Sequence, residues 1–389
     1  MARKLWATRG LAALATGAMA VSLTACGGGG AGGGAGGGAG DGEEGGLVGV
    51  AMPTETYERW IADGDAVKTG LEEAGYEVDL QFAGDNIPTQ QQQIDAMINK
   101  GAEALIIASI DGTALGSQLE AAAAADIPVI SYDRLIRDSE NVDFYVTFDN
   151  YEVGVQQGTS LLTGLGILDE NGEEAADASE GPFNVELFAG SPDDNNAGFF
   201  FDGAMSVLQP YIDDETLVVP SGQTDFGTVA IQRWEQERAQ SRMEDLLTST
   251  YTKGDVNVDG VLAPADVISR GIITALQNSG YGKGDLAMPV ITGQDAEAAS
   301  AKLIVDGDQY STIFKDTRLL AEQAVTAATA YLEGNEPEAN DTETYDNGPI
   351  VVPSYLLPTV IVTADNLQAE LVDSGYLTEE EVASGQVDE

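Results

Sequence analysis

From Leu47 onward the chain alternates between short apolar runs and amphipathic stretches. Leu47–Met52 is a continuous apolar run of strand length, and Tyr57–Ala74 carries helical periodicity. Tyr76–Phe82 alternates as a half-buried strand does. Pro88 opens a helix running through Ile98, where its missing N–H costs nothing. Ala104–Ala108 reads as a strand, Thr113–Ala125 as a helix and Ile127–Ile130 as a strand. Near-continuous apolar strands separated by helices predict a parallel sheet covered on both faces.

The pattern begins afresh after Asn150. A helix near Val153–Leu165 leads into an acidic surface loop, Asp169–Glu180. Strand Val185–Ala189, helix Gly198–Leu208 and strand Leu217–Pro220 follow. Helix Gln236–Leu247, strand Val258–Ala263, helix Val267–Asn278 and strand Ala287–Thr292 come next. For 389 residues, two successive doubly wound α/β domains fit this better than one long sheet.

Charge narrows the possible partners. The sequence has 65 acidic and 17 basic residues, no histidine, and a formal net charge of −48. A nucleic-acid surface needs clustered Lys and Arg, so that class is excluded. So large a like-sign charge is best tolerated where salt screens it, which points to a salty external medium. The N-terminus points the same way. Arg3, Lys4 and Arg9 precede an apolar, alanine-rich stretch from Leu11 to Leu23, too short for a confident membrane span and built like a secretory leader. Leu23-Thr24-Ala25-Cys26 resembles the lipobox of bacterial lipoproteins, which implies a signal peptide at 1–25 and a lipidated Cys26. Residues 26–46 then form a Gly-rich linker that holds the folded body off the membrane. With Cys26 used in this way, the body keeps no thiol for a disulfide, a metal or a nucleophile.

Catalytic motifs are missing. Without histidine there is no Ser-His-Asp triad and no His-metal site. The first strand enters Met52-Pro53-Thr54-Glu55, not the Gly-rich turn of a dinucleotide site. Asp255-Val256-Asn257-Val258-Asp259-Gly260 matches the opening of a calcium loop, with Asp266 at its twelfth position. An EF-hand would consume the strand at Val258–Ala263, so a turn followed by a strand is the preferred reading.

Several segments carry a joint signal. They are Met52-Pro53-Thr54 with Glu58-Arg59-Trp60, Ala108-Ser109-Ile110-Asp111-Gly112-Thr113, Tyr132-Asp133-Arg134-Leu135-Ile136 and Thr147-Phe148-Asp149-Asn150. Further along come Gly190 to Ala197 (GSPDDNNA), Ser221-Gly222-Gln223-Thr224, Thr292 to Glu297 (TGQDAE) and Phe314-Lys315-Asp316. In this order they resemble the periplasmic-binding-protein family that serves monosaccharide transporters, especially its xylose- and multiple-sugar-binding branch. The resemblance spans about Leu47 to Asn366. It implies a type I fold, two Rossmann-like lobes joined by three crossings near Asp149, Lys315 and Pro349. Residues 47–149 and 316–348 would form the N-terminal lobe, and 150–315 with 349–389 the C-terminal lobe.

The resemblance also implies a site. Trp60 and Trp234 match two positions that stack on sugar faces, while Arg59, Asp133, Arg134, Asn150, Asp295 and Lys315 supply a hydroxyl-binding rim. These are the residue types a sugar requires, since its C–H faces suit aromatic plates and its hydroxyls suit charged forks and carboxylates. Asn196 joins the expected ligand set, although Asn195 and Asn196 read equally well as cap and turn residues. In Val261-Leu262-Ala263-Pro264-Ala265-Asp266, Ala265 stands where many members carry Asn, so one amide contact is missing or is supplied by a neighbour such as Asp266 or Asn196.

The implied function is binding without turnover, with no cofactor or metal. A monomeric, lipid-anchored protein outside the cytoplasm would capture a monosaccharide of the xylose, glucose, galactose or arabinose type and deliver it to the permease subunits of an ABC transporter. The alternative is a sugar sensor that presents the loaded form to a receptor kinase or chemoreceptor.

Overall fold

The computed structural model describes residues 45–251 and 256–387; Cys26, the leader and nearly all of the spacer lie outside them. The first half runs β1 (Gly45–Met52), α1 (Glu58–Glu73), β2 (Tyr76–Phe82), α2 (Ile87–Lys100), β3 (Ala104–Ile107), α3 (Gly116–Ala124), β4 (Val129–Tyr132) and β5 (Phe144–Phe148). Local chemistry sets these limits. Asn86 caps α2 by accepting from Thr89 N, Pro88 sits in its first turn, and Gly101 ends it in the left-handed region. Helix α3 starts later than Thr113 because Asp111 Oδ1 accepts from both Thr113 N and Oγ1, folding that segment into a turn. Strand β5 was not anticipated, although every residue in it is buried.

The second half runs α4 (Asn150–Gly164), β6 (Phe183–Leu187), α5 (Asn195–Asp213), β7 (Leu217–Val218), α6 (Phe226–Val229), α7 (Gln236–Ser249), β8 (Gly260–Leu262), α8 (Asp266–Asn278), β9 (Val290–Ile291), α9 (Ala298–Asp306) and β10 (Ser311–Phe314). It closes with α10 (Thr317–Leu332), β11 (Ser354–Leu357), β12 (Val360–Thr363) and α11 (Glu379–Ser384). The acidic segment 169–180 is irregular and largely exposed. Helices α4 and α5 lie in near backbone contact: a Cβ on Gly154 would stand 2.1 Å from Phe200 O, and one on Gly203 2.1 Å from Tyr151 O. That contact seats α5 against α4, and the candidate ligand residue Asn196 lies in the first turn of α5.

The first sheet has the order β11-β5-β4-β3-β1-β2 and is parallel throughout. The second has the order β7-β6-β8-β9, also parallel. Tyr310 N and Ile313 N donate to Ile291 O and Gly293 O, linking it to the antiparallel pair β10-β12. Two α/β lobes result, with the chain passing between them after β5, after β10 and after β11. The last passage corrects an expectation. Strand β11 pairs with β5 from Ser354↔Tyr145 to Leu357↔Phe148, so the return lies at Pro358–Thr359 and not near Pro349. Helix α10 covers the first sheet, where Leu320, Ala324 and Ala328 pack with Val50, Ile106 and Val146.

Candidate ligand-binding site

Open parallel sheets hold ligands beyond the carboxyl ends of their strands, where order reverses around the first strand. The candidate residues gather there from both lobes. Arg59 and Trp60 follow β1, and Asp133 and Arg134 follow β4. From the second lobe, Asn196 opens the helix after β6, Asp295 follows β9 and Lys315 follows β10. Three of them occupy left-handed backbone without being glycine: Asp133 (φ 60°), Trp234 (φ 56°) and Asp295 (φ 98°). Such conformations are held by their surroundings and concentrate where side chains are aimed at a ligand.

Arg59 is the hub. Its Nε lies 3.1 Å from Asp63 Oδ2, Nη2 bonds Asp133 Oδ2, and Nη1 reaches Asp295 Oδ1 at 3.4 Å. Lys315 Nζ holds the same Asp295 oxygen at 2.9 Å. The Arg59–Asp295 contact joins the lobes, and so do four others, among them Tyr145 Oη donating to Asn196 Oδ1 at 2.9 Å. Arg134 Nε pairs with Asp194 Oδ2 at 3.3 Å, Asn196 Nδ2 donates to Asp133 O at 2.7 Å, and Arg137 Nη2 donates to Asp193 O at 3.3 Å. Both tryptophans line the cavity. Trp60 is flanked by the guanidinium groups of Arg59 at 4.7 Å and Arg134 at 5.1 Å, while Trp234 meets Phe200 edge-on at 6.4 Å. The cavity between them has a volume of about 50 Å³.

Eight of the nine expected ligand residues line this cavity: Arg59, Trp60, Asp133, Arg134, Asn196, Trp234, Asp295 and Lys315. Asn150 does not. Its Nδ2 lies 3.3 Å from both Thr147 Oγ1 and Tyr345 Oη, so the amide ties the first crossing together beneath the site. Ala265 presents its methyl to the cavity, but Asp266 turns away. The Asp266 carboxylate accepts from Glu297 N, Gln309 Nε2 and Thr312 Oγ1 inside the second lobe, so it cannot replace a lost amide at the cavity wall. The calcium-loop pattern is also dispersed: Asp255 is outside the described residues, and Asp259 accepts from Asn184 N and Nδ2.

Sequence reading passed over Tyr57, Asp194, Phe200, Gln294 and Glu297, which also line the cavity. Asp194 is the cap of α5, accepting from Asn196 N at 3.0 Å. The helical period would have found Phe200, four residues after Asn196 and therefore on the same face.

The lining carboxylates all have cationic partners: Asp133 with Arg59, Asp194 with Arg134, Asp295 with Lys315, and Glu297 with Arg270 Nη1 at 2.5 Å. Burial pushes the Asp133 carboxyl up, but Arg59, Lys315 and Arg134 outweigh it and hold the group below its ordinary value. Burial wins at Asp194, which is raised despite Arg134. It wins also at Asp63, pushed up to about 6 although Arg59 and the Tyr132 hydroxyl oppose the shift.

Asp63 gives a testable pH dependence. Its proton is held more tightly in the folded state, so its contribution to stability is complete below the ordinary carboxylate range and is lost as pH rises through about 6. The wild-type protein is therefore expected to gain melting temperature relative to Asp63→Asn between pH 7 and pH 4.5. Scanning calorimetry at several pH values checks this, and a constant difference would refute it.

The geometry agrees with the comparisons. The family described as periplasmic binding protein domain matches residues 48–336, and the chain belongs to it. The members are binding proteins, not catalysts. Among similar proteins, the multiple sugar-binding periplasmic receptor ChvE of Rhizobium radiobacter is 52% identical over 331 residues, covering 85% of this chain and 90% of that protein. The D-xylose-binding periplasmic protein of Escherichia coli K12 is 35% identical, covering 86% and 92%. A solved ABC transporter solute-binding protein from Clostridium phytofermentans with bound β-D-glucose superposes with a TM-score of 0.80 at 45% identity, covering 86% of this chain and 99% of that one. A carbohydrate transporter solute-binding protein from Chloroflexus aurantiacus, in complex with D-glucose, gives 0.76 at 38% identity, covering 86% and 98%.

Proposed function

We propose that this protein is the extracytoplasmic binding component of an ABC importer for a neutral aldose. It encloses the sugar between its lobes and delivers it to the permease subunits. The observation that carries this reading is the cavity wall: aromatic plates combined with carboxylates that are each already paired. A ligand bearing a full charge would leave one of those pairs uncompensated, whereas a neutral polyol exchanges hydroxyl contacts with them and lays its C–H faces on the rings. The relatives described as sugar receptors support it. Sugar makes both sets of contacts only when the lobes are together, so binding favours closure. Residues 1–25 would direct export and Cys26 would carry the lipid, with the Gly-rich run between Cys26 and β1 as tether.

Isothermal calorimetry on the purified protein is expected to detect micromolar or tighter binding of at least one of xylose, glucose, galactose and arabinose. Silence with all four at millimolar concentration would overturn the proposal.

A further inference from the structure

One residue lining the cavity carries a buried polar atom that no other described residue partners. Gln294 is buried at the end of β9, and its Oε1 finds no hydrogen-bond partner among the described residues. It is not a loose surface amide. Asp266 N donates to Gln294 O at 2.9 Å, which binds the end of β9 to the start of α8, directly after Ala265. Its other neighbour, Asp295, is fixed in left-handed backbone and through Lys315. The methyl of Ala265 and the amide of Gln294 thus belong to adjoining strand ends that line one cavity. The indole Nε1 of Trp234, on the same wall, is also buried and unpartnered among the described residues.

A buried acceptor without a donor is costly, and so is a buried donor without an acceptor. A ligand hydroxyl satisfies either, since it has one hydrogen to give and two lone pairs to offer. A ligand hydrogen or methyl at the same place satisfies neither. Sites that present unpaired polar groups to a hydroxyl reject analogues that lack it far more strongly than apolar pockets reject a missing methylene.

We infer that Gln294 is a specificity-determining residue whose side-chain amide accepts a hydrogen bond from one ligand hydroxyl. The inference rests on the proposed sugar-binding function and adds to it which residue reads the hydroxyl pattern from the second lobe. Trp234 Nε1 then donates to a ligand oxygen from the same wall, so this side of the cavity reads hydroxyls and does not merely stack on the ring.

The test uses the full-length protein and the tightest-binding of the four aldoses, together with its monodeoxy derivatives. Calorimetry of the wild type is expected to show one deoxy position at which affinity falls about tenfold to a hundredfold, the range for leaving a buried polar group unpaired. Gln294→Met is expected to weaken the parent sugar by a similar factor and to abolish the penalty at that one position, leaving the penalties at the others intact. If the Met variant does not fold, Gln294→Asn, which withdraws the amide by one methylene, is read the same way: the penalty at that position shrinks alone. A variant that binds the parent within twofold of wild type, or keeps every deoxy penalty unchanged, overturns the role of Gln294 while leaving sugar binding intact. If the wild type binds none of the four aldoses, the functional proposal fails and the inference fails with it.

Discussion

Replacing Arg59 with methionine is expected to abolish measurable ligand binding and to destabilise the protein by about 3 to 5 kcal/mol, the range for breaking a buried ion pair by removing one partner. Arg59 serves Asp63, Asp133 and Asp295 at once and is itself held charged by them against the cost of burial. Without it Asp295 keeps Lys315, but Asp63 and Asp133 remain buried with no guanidinium in contact. Arg59→Lys, which keeps the charge but loses the fork, should fall between wild type and Arg59→Met. Denaturant unfolding measures the stability loss, and calorimetry with the best aldose measures binding. The deficit should narrow toward pH 5, where the stranded carboxyls take up protons. A deficit independent of pH would show that packing, not charge, is what Arg59 supplies.

The second large effect comes from a residue that touches no ligand. Gly190→Ala is expected to weaken binding at least a hundredfold and to cost about 1 to 3 kcal/mol of stability, as overpacking does. A Cβ on Gly190 would lie 2.0 Å from Cη2 and 2.3 Å from Cζ2 of Trp234. The strand end cannot retreat, because Ala189 is bonded on both sides, its N to Val229 O and its O to Ile231 N. The indole must move instead, on a turn where Arg233 and Trp234 are both already left-handed. Tryptophan fluorescence and ligand titration read the displacement. In the double variant with Trp234→Ala, most of the stability cost of Gly190→Ala should vanish, because the obstructing ring is gone. A cost that persists in the double variant would place the strain elsewhere.

The lobes were legible because their strands are apolar and their helices periodic. Helix α7 was expected at Gln236–Leu247 and observed at Gln236–Ser249. Strands β10 and β12 and helix α10 were not resolved by pattern alone. Alanine-rich Thr317–Leu332 has a weak contrast between faces, and the antiparallel β10-β12 pair is brought together from distant sequence. The site was legible to the extent that a residue's chemistry was unusual in its surroundings. Arg59, Arg134 and Lys315 stood out in a chain so poor in cations. Asp194 and Glu297 did not, because single carboxylates carry little information among 65 acidic residues. Asn150 lies off the cavity wall for a physical reason: an amide at a crossing can face the cavity or the hinge, and here Thr147 and Tyr345 hold it at the hinge.

The interleaving of the lobes also bears on the order in which they can form during synthesis. The first sheet is begun by residues 45–148, yet one of its faces is covered by α10 and its edge is completed by β11. A nascent chain that has emerged as far as Phe314 already carries the strands β6 to β10 of the second lobe, while the first still lacks Leu320, Ala324, Ala328 and its last strand. The first lobe therefore keeps an uncovered apolar face open to chaperones and to premature association until Leu357 has been made, and the second is finished later still, when β12 and α11 reach β10 and α9.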